Sequence, residues 1–286
     1  MIKTIVYRDH EETLTIPDKN EEVSYLVKEA SRITKISPTR IRLYYVHDNN
    51  EIVIQNQHEL IEMIQANRFV VKDSGPQFSF MINDLFEYIP PLFIWIGFLL
   101  CIKPENNNYI KIATCMWMFH YIKRSFEAVF IHTYSHKTIP IFSVMDNSCF
   151  KNCIYYWFFA FLISYSVLSG KKNIQVKNMK IIFIILFIVS ELLNFYCHLK
   201  LRLLRPKGSL KHYCPRGFLF DHITAPNYTF EILSWIFFYL FTNCISVLIF
   251  AFCGGFQMFL WADEKRKRLS VNYKEVQNRG RILPFF

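Results

Sequence analysis

One stretch of the chain places ionisable side chains on an apolar sequence of membrane length. It runs from residue 191 to 205 and continues the uncharged run at 181–189. At 100° per residue, its polar side chains fall within a sector of about 80° on one helix face. Ionisable groups at membrane depth are costly, and by default they mark a polar cavity or pathway. An alternative is that the arginines only extend to lipid phosphates at the membrane surface. The polar face comprises Glu191, Asn194, His198, Arg202 and Arg205.

A second polar group opens the next apolar stretch. Pro226 suits a first helical turn, and Asn227, Tyr228 and Glu231 then crowd one side of the helix start. A tyrosine beside a buried carboxylate and facing arginines is a candidate proton donor. The alternative is an interfacial aromatic residue with a capping asparagine.

A third group lies on the predicted helix 109–131. Its first half is apolar, whereas its second half carries His120, Lys123, Arg124 and Glu127. The spacing puts Arg124 and Glu127 on the face of His120, and Lys123 four residues before Glu127. The pattern fits either a cytosolic extension of the helix or part of the same site.

Further motifs follow one another along nearly the whole chain. They are His120-Tyr121 with Lys123-Arg124 and Glu127, Tyr134-Ser135-His136 with Thr138 and Pro140, Asn152 with Tyr155-Tyr156-Trp157, Asn194 through Pro206-Lys207-Gly208, Pro226-Asn227-Tyr228 with Glu231, and the ending Ile282-Leu283-Pro284-Phe285-Phe286. As an ordered set they resemble the steroid 5α-reductase superfamily, and within it the very-long-chain trans-2-enoyl-CoA reductases of fatty-acid elongation. Each motif is weak by itself.

The resemblance implies a mechanism and a cofactor, NADPH. Hydride would pass to the β-carbon of a trans-2-enoyl-CoA, and a donor would stabilise the charge on the thioester oxygen. Tyr228 would protonate the α-carbon or polarise the carbonyl, Glu231 would orient that network, and Lys123 with Arg124 would hold cofactor or CoA phosphates. The residues matching cofactor-binding positions of the family are Asn194, His198, Arg202, Arg205 and Asn227.

The tail departs from the family pattern. Family members carry a His and then a Tyr soon after the last span, and both contact the cofactor. Here Arg266 falls near the His position. Tyr273 can take the place of the Tyr only if the tail is aligned to the family pattern with a shift. Arg266 is therefore the sixth predicted cofactor-binding residue.

Composition limits the classes of protein. Of 286 residues, 52% are hydrophobic and 17% aromatic, which is typical of an integral membrane protein with one soluble appendage. The net charge of +10 clusters at loops and the C-terminus and requires no nucleic-acid partner. Eight scattered cysteines form no zinc-binding pattern, so no metal is predicted, and the absence of GxGxxG excludes a Rossmann site. The N-terminus lacks the apolar segment of a signal peptide.

The first 75 residues have a different pattern from the rest. Residues 2–7 and 13–16 alternate like strands, a helical spacing follows from Glu21, and 40–46 and 52–54 again resemble strands. This order predicts a ubiquitin-like β-grasp domain, a feature that the family branch shares. We therefore expect a mixed fold with a cytosolic ubiquitin-like domain at 1–75, a linker at 76–84 and an all-α reductase domain at 85–286.

Apolar runs in that second domain predict about six transmembrane helices. The uncharged run at 232–262 has 31 residues, or about 46 Å of helix, so we expect two spans with a turn near Thr242-Asn243-Cys244. Both termini would be cytosolic, and the resemblance implies the endoplasmic reticulum membrane. Four lysines between 171 and 180 would then lie on the lumenal side, against the positive-inside rule, which leaves a seventh span open.

The predicted function is therefore reduction of very-long-chain trans-2-enoyl-CoA by NADPH. The implied partners are the acyl-CoA substrate, membrane lipid and the other enzymes of the elongation cycle, namely the condensing enzyme, the ketoacyl reductase and the dehydratase. Three alternatives stay open. They are a steroid or polyprenol enone reductase, a non-catalytic structural subunit of an elongation complex, and a transporter.

Overall fold

The computed structural model describes residues 2–7, 10–15, 23–47, 50–53, 68–104, 107–134, 138–141, 149–170, 178–204 and 213–284. The chain divides into two compact units. The first comprises residues 1–80 and 136–151, and the second comprises residues 81–135 and 152–286. The lysines at 171–177 lie outside the described residues.

The first unit contains a five-stranded sheet and one helix. The strands are β1 (Ile2–Tyr7), β2 (His10–Thr15), β3 (Ile41–His47), β4 (Asn50–Val53) and β5 (Arg68–Asp73), and the helix is α1 (Val23–Thr34). The sheet order is β2-β1-β5-β3-β4, in which only β1 and β5 run parallel. Leu26 and Ala30 of α1 pack in one core with Leu43, Phe69 and Val71.

The central strand β5 was not predicted from the sequence. Its residues Phe69 to Val71 form a short apolar run between Arg68 and Lys72, so they lack the alternation by which the outer strands were recognised. Residues 77–79 form a further strand, β6 (Gln77–Ser79), which pairs with β7 (Thr138–Pro140). The predicted linker at 76–84 thus contains a strand and the start of a helix.

Six long helices make up the second unit among the residues described. They are α2 (Phe80–Ile102), α3 (Asn108–Phe130), α4 (Cys149–Ser169), α5 (Asn178–Leu204), α6 (Pro226–Thr242) and α7 (Ile245–Ser270), of which α2 and α4 begin in the first unit. The predicted break between α6 and α7 is confirmed. Asn243 takes the left-handed conformation there, with φ 51°.

Four of these helices are long and apolar enough to cross a membrane, within the described part of the chain. They are Phe80–Ile102, Lys151–Ser169, Lys180–Leu204 and Ile245–Ser270. The chain is therefore a membrane protein, whereas the prediction was of about six spans. Helix α3 differs because it carries Lys111, Lys123, Arg124 and Glu127, and α6 differs because it has only 17 residues.

Aromatic side chains fill the core between the helices. Trp117 of α3 stacks on Trp95 of α2 with ring centroids 4.8 Å apart, and its indole donates to the Pro91 carbonyl. Pro90 lacks the N–H that would bond to the Phe86 carbonyl one turn earlier. The Trp157 indole of α4 donates to that carbonyl instead, at 2.7 Å.

The end of the chain folds back beside the start of α6. Residues 280 and 281 accept backbone hydrogen bonds from Thr224 and Ala225, and the Thr229 hydroxyl donates to the Ile282 carbonyl. These bonds fix the loop before Pro226, and hence the position of the polar residues in the first turns of α6.

Candidate functional site

The polar face predicted on α5 is buried in the second unit. Glu191 and Asn194 are each 1% exposed and His198 is 8% exposed, although the helix is apolar on its other faces. Arg202 is half-buried. Arg205 lies outside the described residues. The alternative that the arginines only extend to lipid phosphates concerned Arg202 and Arg205, and the burial of the other three residues does not test it.

Glu191 connects two basic side chains of α3. His120 Nδ1 is hydrogen-bonded to Glu191 Oε1 at 2.7 Å. The Lys123 ammonium is also 2.7 Å from Glu191 Oε2, but this ion pair lacks the alignment of a hydrogen bond. Lys123 also donates to Asn194 Oδ1 at 2.6 Å and lies 3.6 Å from Glu127 Oε1. Lys123 is therefore surrounded by acceptors of this chain.

Arg124 occupies the centre of a second set of contacts. Its Nη1 donates to Glu127 Oε2 at 2.9 Å and lies 3.4 Å from His198 Nδ1. Its Nη2 donates to the Tyr88 hydroxyl at 2.7 Å. Its Nε is 3.8 Å from Glu231 Oε1 and makes no hydrogen bond with the residues described. One guanidinium thus joins α2, α3, α5 and α6.

His120 and Arg124 connect these contacts to Glu231. The second ring nitrogen of His120, Nε2, lies 3.4 Å from Glu231 Oε1. Both ring nitrogens of His120 therefore face carboxylates. Together with Lys123, Arg124 and Glu127 they form one buried set of polar contacts. We call this set the ion cluster, and its members are His120, Lys123, Arg124, Glu127, Glu191 and Glu231.

The two predicted asparagines meet beside the ion cluster. Asn194 Nδ2 donates to the Asn227 carbonyl at 2.9 Å, and Asn227 Nδ2 lies 3.4 Å from His198 Nε2. The Asn227 side-chain oxygen is buried and accepts no hydrogen bond from the described residues. Because buried acceptors are normally paired, this atom marks a place for a ligand donor.

Tyr228 lies next to Asn227 in the first turn of α6. Its ring is half-buried and its centroid is 6.3 Å from that of Trp261 on α7. Its hydroxyl donates to no residue in the described part of the chain, and it is within electrostatic range of Arg124 and Glu231. A phenol with an uncommitted proton at the edge of a buried ion cluster can act as a proton donor.

Two predicted cofactor-binding arginines lie away from the ion cluster contacts. Arg202 Nη1 donates to the Ile131 carbonyl at 3.3 Å. Arg266 Nη1 donates to the Arg279 carbonyl, and its Nη2 lies 3.8 Å from Asp263. Tyr273, the other tail candidate, packs in a small apolar cluster. Arg266 therefore anchors the folded-back tail, whatever else it binds.

The end of α3 is held by a small polar cluster. The Asp84 carboxylate accepts from the Tyr134 hydroxyl at 2.7 Å and lies 3.2 Å from His132 Nδ1. Burial, together with the neighbouring Asp84 charge, raises the pKa of Tyr134, so this phenol stays protonated and remains a donor. The contact fixes the loop after α3 against α2.

Three side chains are close enough to bind a metal ion. Ligand atoms of Glu127, His132 and His198 lie within 4.8 Å of one another. However, the Arg124 guanidinium contacts both Glu127 and His198, so a cation already neutralises this carboxylate. The arrangement is therefore better explained by an arginine ion pair than by a metal site.

The sequence interpretation missed Tyr88 altogether. It begins the uncharged run 88–102 of α2, directly after Glu87. Glu87 is buried and accepts from Asn83 at 2.6 Å. This Asn and Glu, four residues apart at the start of an apolar helix, were the available signal that one face of α2 is polar.

The chain is similar to known proteins along most of its length. Residues 137–286 match the family described as 3-oxo-5-alpha-steroid 4-dehydrogenase. A very-long-chain enoyl-CoA reductase of Dictyostelium discoideum is 34% identical over 278 residues, covering 92% of this chain and 91% of that protein. A probable very-long-chain enoyl-CoA reductase of Caenorhabditis elegans is 33% identical, covering 75% and 74%. A human trans-2,3-enoyl-CoA reductase-like protein is 27% identical, covering 79% and 66%.

Proposed function

The chain belongs to the very-long-chain trans-2-enoyl-CoA reductases of the steroid 5α-reductase superfamily, and we propose that it reduces very-long-chain trans-2-enoyl-CoA to saturated acyl-CoA with NADPH. This is an oxidoreductase reaction on a CH–CH group and the last step of a fatty-acid elongation cycle. The observation that carries the proposal is the ion cluster buried between apolar helices, with Tyr228 one turn before its member Glu231.

The donor set fits a nicotinamide dinucleotide. The buried Asn227 oxygen needs a donor, and a carboxamide N–H is one. Arg202 is half-buried and makes one hydrogen bond to the residues that the structure describes, at the Ile131 carbonyl. Its other N–H groups suit a phosphate. When bound, the cofactor supplies the hydride. The residues proposed to hold it are Asn194, His198, Arg202, Arg205, Asn227 and Arg266.

The ion cluster orients the groups that act on the substrate. Glu231 lies 3.4 Å from His120 and 3.8 Å from the Arg124 guanidinium, and Arg124 acts on Tyr228 electrostatically. The positive charge of Arg124 favours negative charge on a substrate oxygen. The contacts of Lys123 with Glu191 and Asn194 support a positioning role. They leave little of its charge for a phosphate, which was the role expected from the sequence.

Membrane topology and the first unit complete the proposal. Helices α3 and α6 would cross the membrane with the four apolar helices, because their charges face the ion cluster. The strand order β2-β1-β5-β3-β4 supports a ubiquitin-like β-grasp. The protein would lie in the endoplasmic reticulum membrane with both termini in the cytosol. Its partners would be the other elongation enzymes.

The matching family description favours one second candidate, reduction of a 3-oxo-4-ene steroid or a similar enone. Enones and enoyl thioesters present the same conjugated carbonyl to the site. The relatives named enoyl-CoA reductases match more of the chain and support the thioester. Supplying an enoyl-CoA or a steroid enone in the same NADPH-oxidation assay distinguishes the two candidate functions.

The test is NADPH oxidation by the detergent-purified protein with a long-chain trans-2-enoyl-CoA. Tyr228→Phe removes the proposed proton donor, and Tyr239→Phe, at the other end of α6, is the matched control. We expect turnover by the wild type and the control, and a loss of about 100-fold or more for Tyr228→Phe. Equal turnover by Tyr228→Phe would refute the role of Tyr228. NADPH binding without turnover would favour an enone substrate, and no binding would favour the structural subunit.

A further inference from the structure

The proposed reduction makes two demands on hydrogen-bond donors. Hydride addition at C3 moves the C2–C3 π electrons toward the thioester carbonyl, whose oxygen becomes negatively charged. C2 must then take a proton to restore the carbonyl. The Tyr228 hydroxyl carries one proton, so it can meet one of these demands in a turnover, and a second donor is needed for the other.

We propose that Tyr88 is the donor that stabilises the thioester oxygen, which leaves Tyr228 to protonate C2. This assignment rests on the proposed function and adds a catalytic residue to it. Tyr88 is 4% exposed on α2, and Arg124 Nη2 donates to its hydroxyl at 2.7 Å. The guanidinium carbon is 4.7 Å from the ring centroid.

The hydrogen-bond inventory of Tyr88 leaves its proton available. A phenol oxygen donates one hydrogen bond and accepts others, and here the oxygen accepts from Arg124. Tyr88 donates to no residue within the described ranges. Two other tyrosines of this unit behave differently, since Tyr109 donates to the Thr242 carbonyl and Tyr155 to the Phe250 carbonyl.

Arg124 makes Tyr88 suitable for this task. A ligand oxygen that accepts from Tyr88 lies beside a guanidinium, and preorganised donors and charges in an apolar site stabilise developing negative charge strongly. Arg124 Nε also approaches Glu231, one turn after Tyr228 on α6. The same guanidinium therefore connects the surroundings of both phenols.

The Tyr88 ring is fixed by its neighbours. Tyr156 of α4 meets it edge-to-face, with ring centroids 5.7 Å apart at 89°. Because burial, the ring contact and the Arg124 bond all restrict the side chain, its hydroxyl is positioned before substrate binds.

The electrons and protons balance in this scheme. The substrate gains a hydride at C3 from the reduced nicotinamide, which is oxidised by two electrons. The negative thioester oxygen accepts from Tyr88 and lies beside Arg124. C2 then takes the Tyr228 proton, the carbonyl re-forms, and Tyr228 recovers a proton from water. Tyr88 keeps its own proton throughout.

The experiment compares Tyr88→Phe with Tyr109→Phe, which removes a hydroxyl near the far end of α6. We expect Tyr88→Phe to lower kcat by about 100-fold or more, with KM for enoyl-CoA and Kd for NADPH changed less than about threefold. Tyr109→Phe should stay within about threefold in all three. If the wild type is active and the kcat of Tyr88→Phe lies within about threefold of the wild-type value, this inference is overturned and the proposed function is not. An inactive wild type overturns the proposed function and the inference together.

A second variant decides the matter if Tyr88→Phe does not fold. Replacing Tyr88 with 3,5-difluorotyrosine keeps the ring shape and the acceptor for Arg124, and it makes the phenol more acidic. A more acidic phenol is a stronger hydrogen-bond donor to the negative thioester oxygen, so we expect a higher kcat than in the wild type, with KM changed less than about threefold. A kcat equal to that of the wild type would overturn the assignment, since a purely structural tyrosine does not affect the chemical step.

Discussion

Replacing Glu191 with glutamine perturbs the ion cluster at a carboxylate that is almost completely buried. Glu191 is 1% exposed, and its two oxygens lie 2.7 Å from His120 Nδ1 and from the Lys123 ammonium. Glutamine keeps the shape and removes the charge. Among the described residues, Lys123 then keeps one charged partner, Glu127, at 3.6 Å.

The expected loss of stability follows from that geometry. Removing one partner of a buried ion pair costs about 3–5 kcal/mol, because the other charge stays buried without compensation. Glutamine still offers an acceptor to one neighbour, so we expect a value near the lower end, about 3 kcal/mol. At about 2–4 °C per kcal/mol, the apparent melting temperature should fall by about 6–12 °C.

Intrinsic fluorescence during heating in detergent measures this change. The fluorescence of Trp235 is sensitive to the ion cluster, since the Trp235 ring centroid is 4.6 Å from that of His120. The matched control is Glu275→Gln, which makes the same chemical change at the exposed pair with Arg216 and should stay within about 2 °C of the wild type. If Glu191→Gln has the same apparent melting temperature as Glu275→Gln, the ion cluster does not stabilise the fold and the reasoning is refuted.

Three further predictions concern the turn, the tail and pH. Asn243→Val should lower the unfolding free energy by about 1–2 kcal/mol because φ is 51° there, whereas Asn243→Gly should not; equal melting of the two variants would contradict this. Arg279→Met removes the buried donor to the Pro215 carbonyl, so limited proteolysis should cut the tail sooner, and an unchanged digestion rate would count against it. A backbone hydrogen bond and Arg216 hold the pKa of Glu275 below its ordinary 4.5, so the contribution of this pair is present above that pH and is lost as the pH falls through the lowered pKa. The protection factors for amide hydrogen exchange at 274–278, which correct for slower intrinsic exchange in acid, should fall on acidification in the wild type and stay unchanged in Arg216→Gln.

The polar face on α5 could be predicted because burial in an apolar helix leaves a periodic signature. Glu191, Asn194 and His198 were recognised by their spacing alone, and the structure buries all three. The break at Asn243 was predicted for a similar reason, because the apolar run is too long for one span. Periodicity and length are local properties, so the sequence expresses them directly.

The partners of these residues could not be predicted in the same way. That Lys123 meets Glu191 depends on how α3 packs against α5, and no local spacing encodes it. Tyr88 was missed because a tyrosine in an apolar helix resembles core packing until its hydroxyl is seen to meet Arg124. Strand β5 was missed because a central strand lacks alternation.

The most direct test of the central claim follows the hydrogen atoms into the product. The wild-type protein is given a long-chain trans-2-enoyl-CoA with NADPH deuterated at the transferable C4 position, and the saturated product is analysed by mass spectrometry. The account predicts one deuterium at C3, and one at C2 when unlabelled NADPH is used in deuterated water. Product without cofactor deuterium at C3, or no saturated product at all, would contradict it.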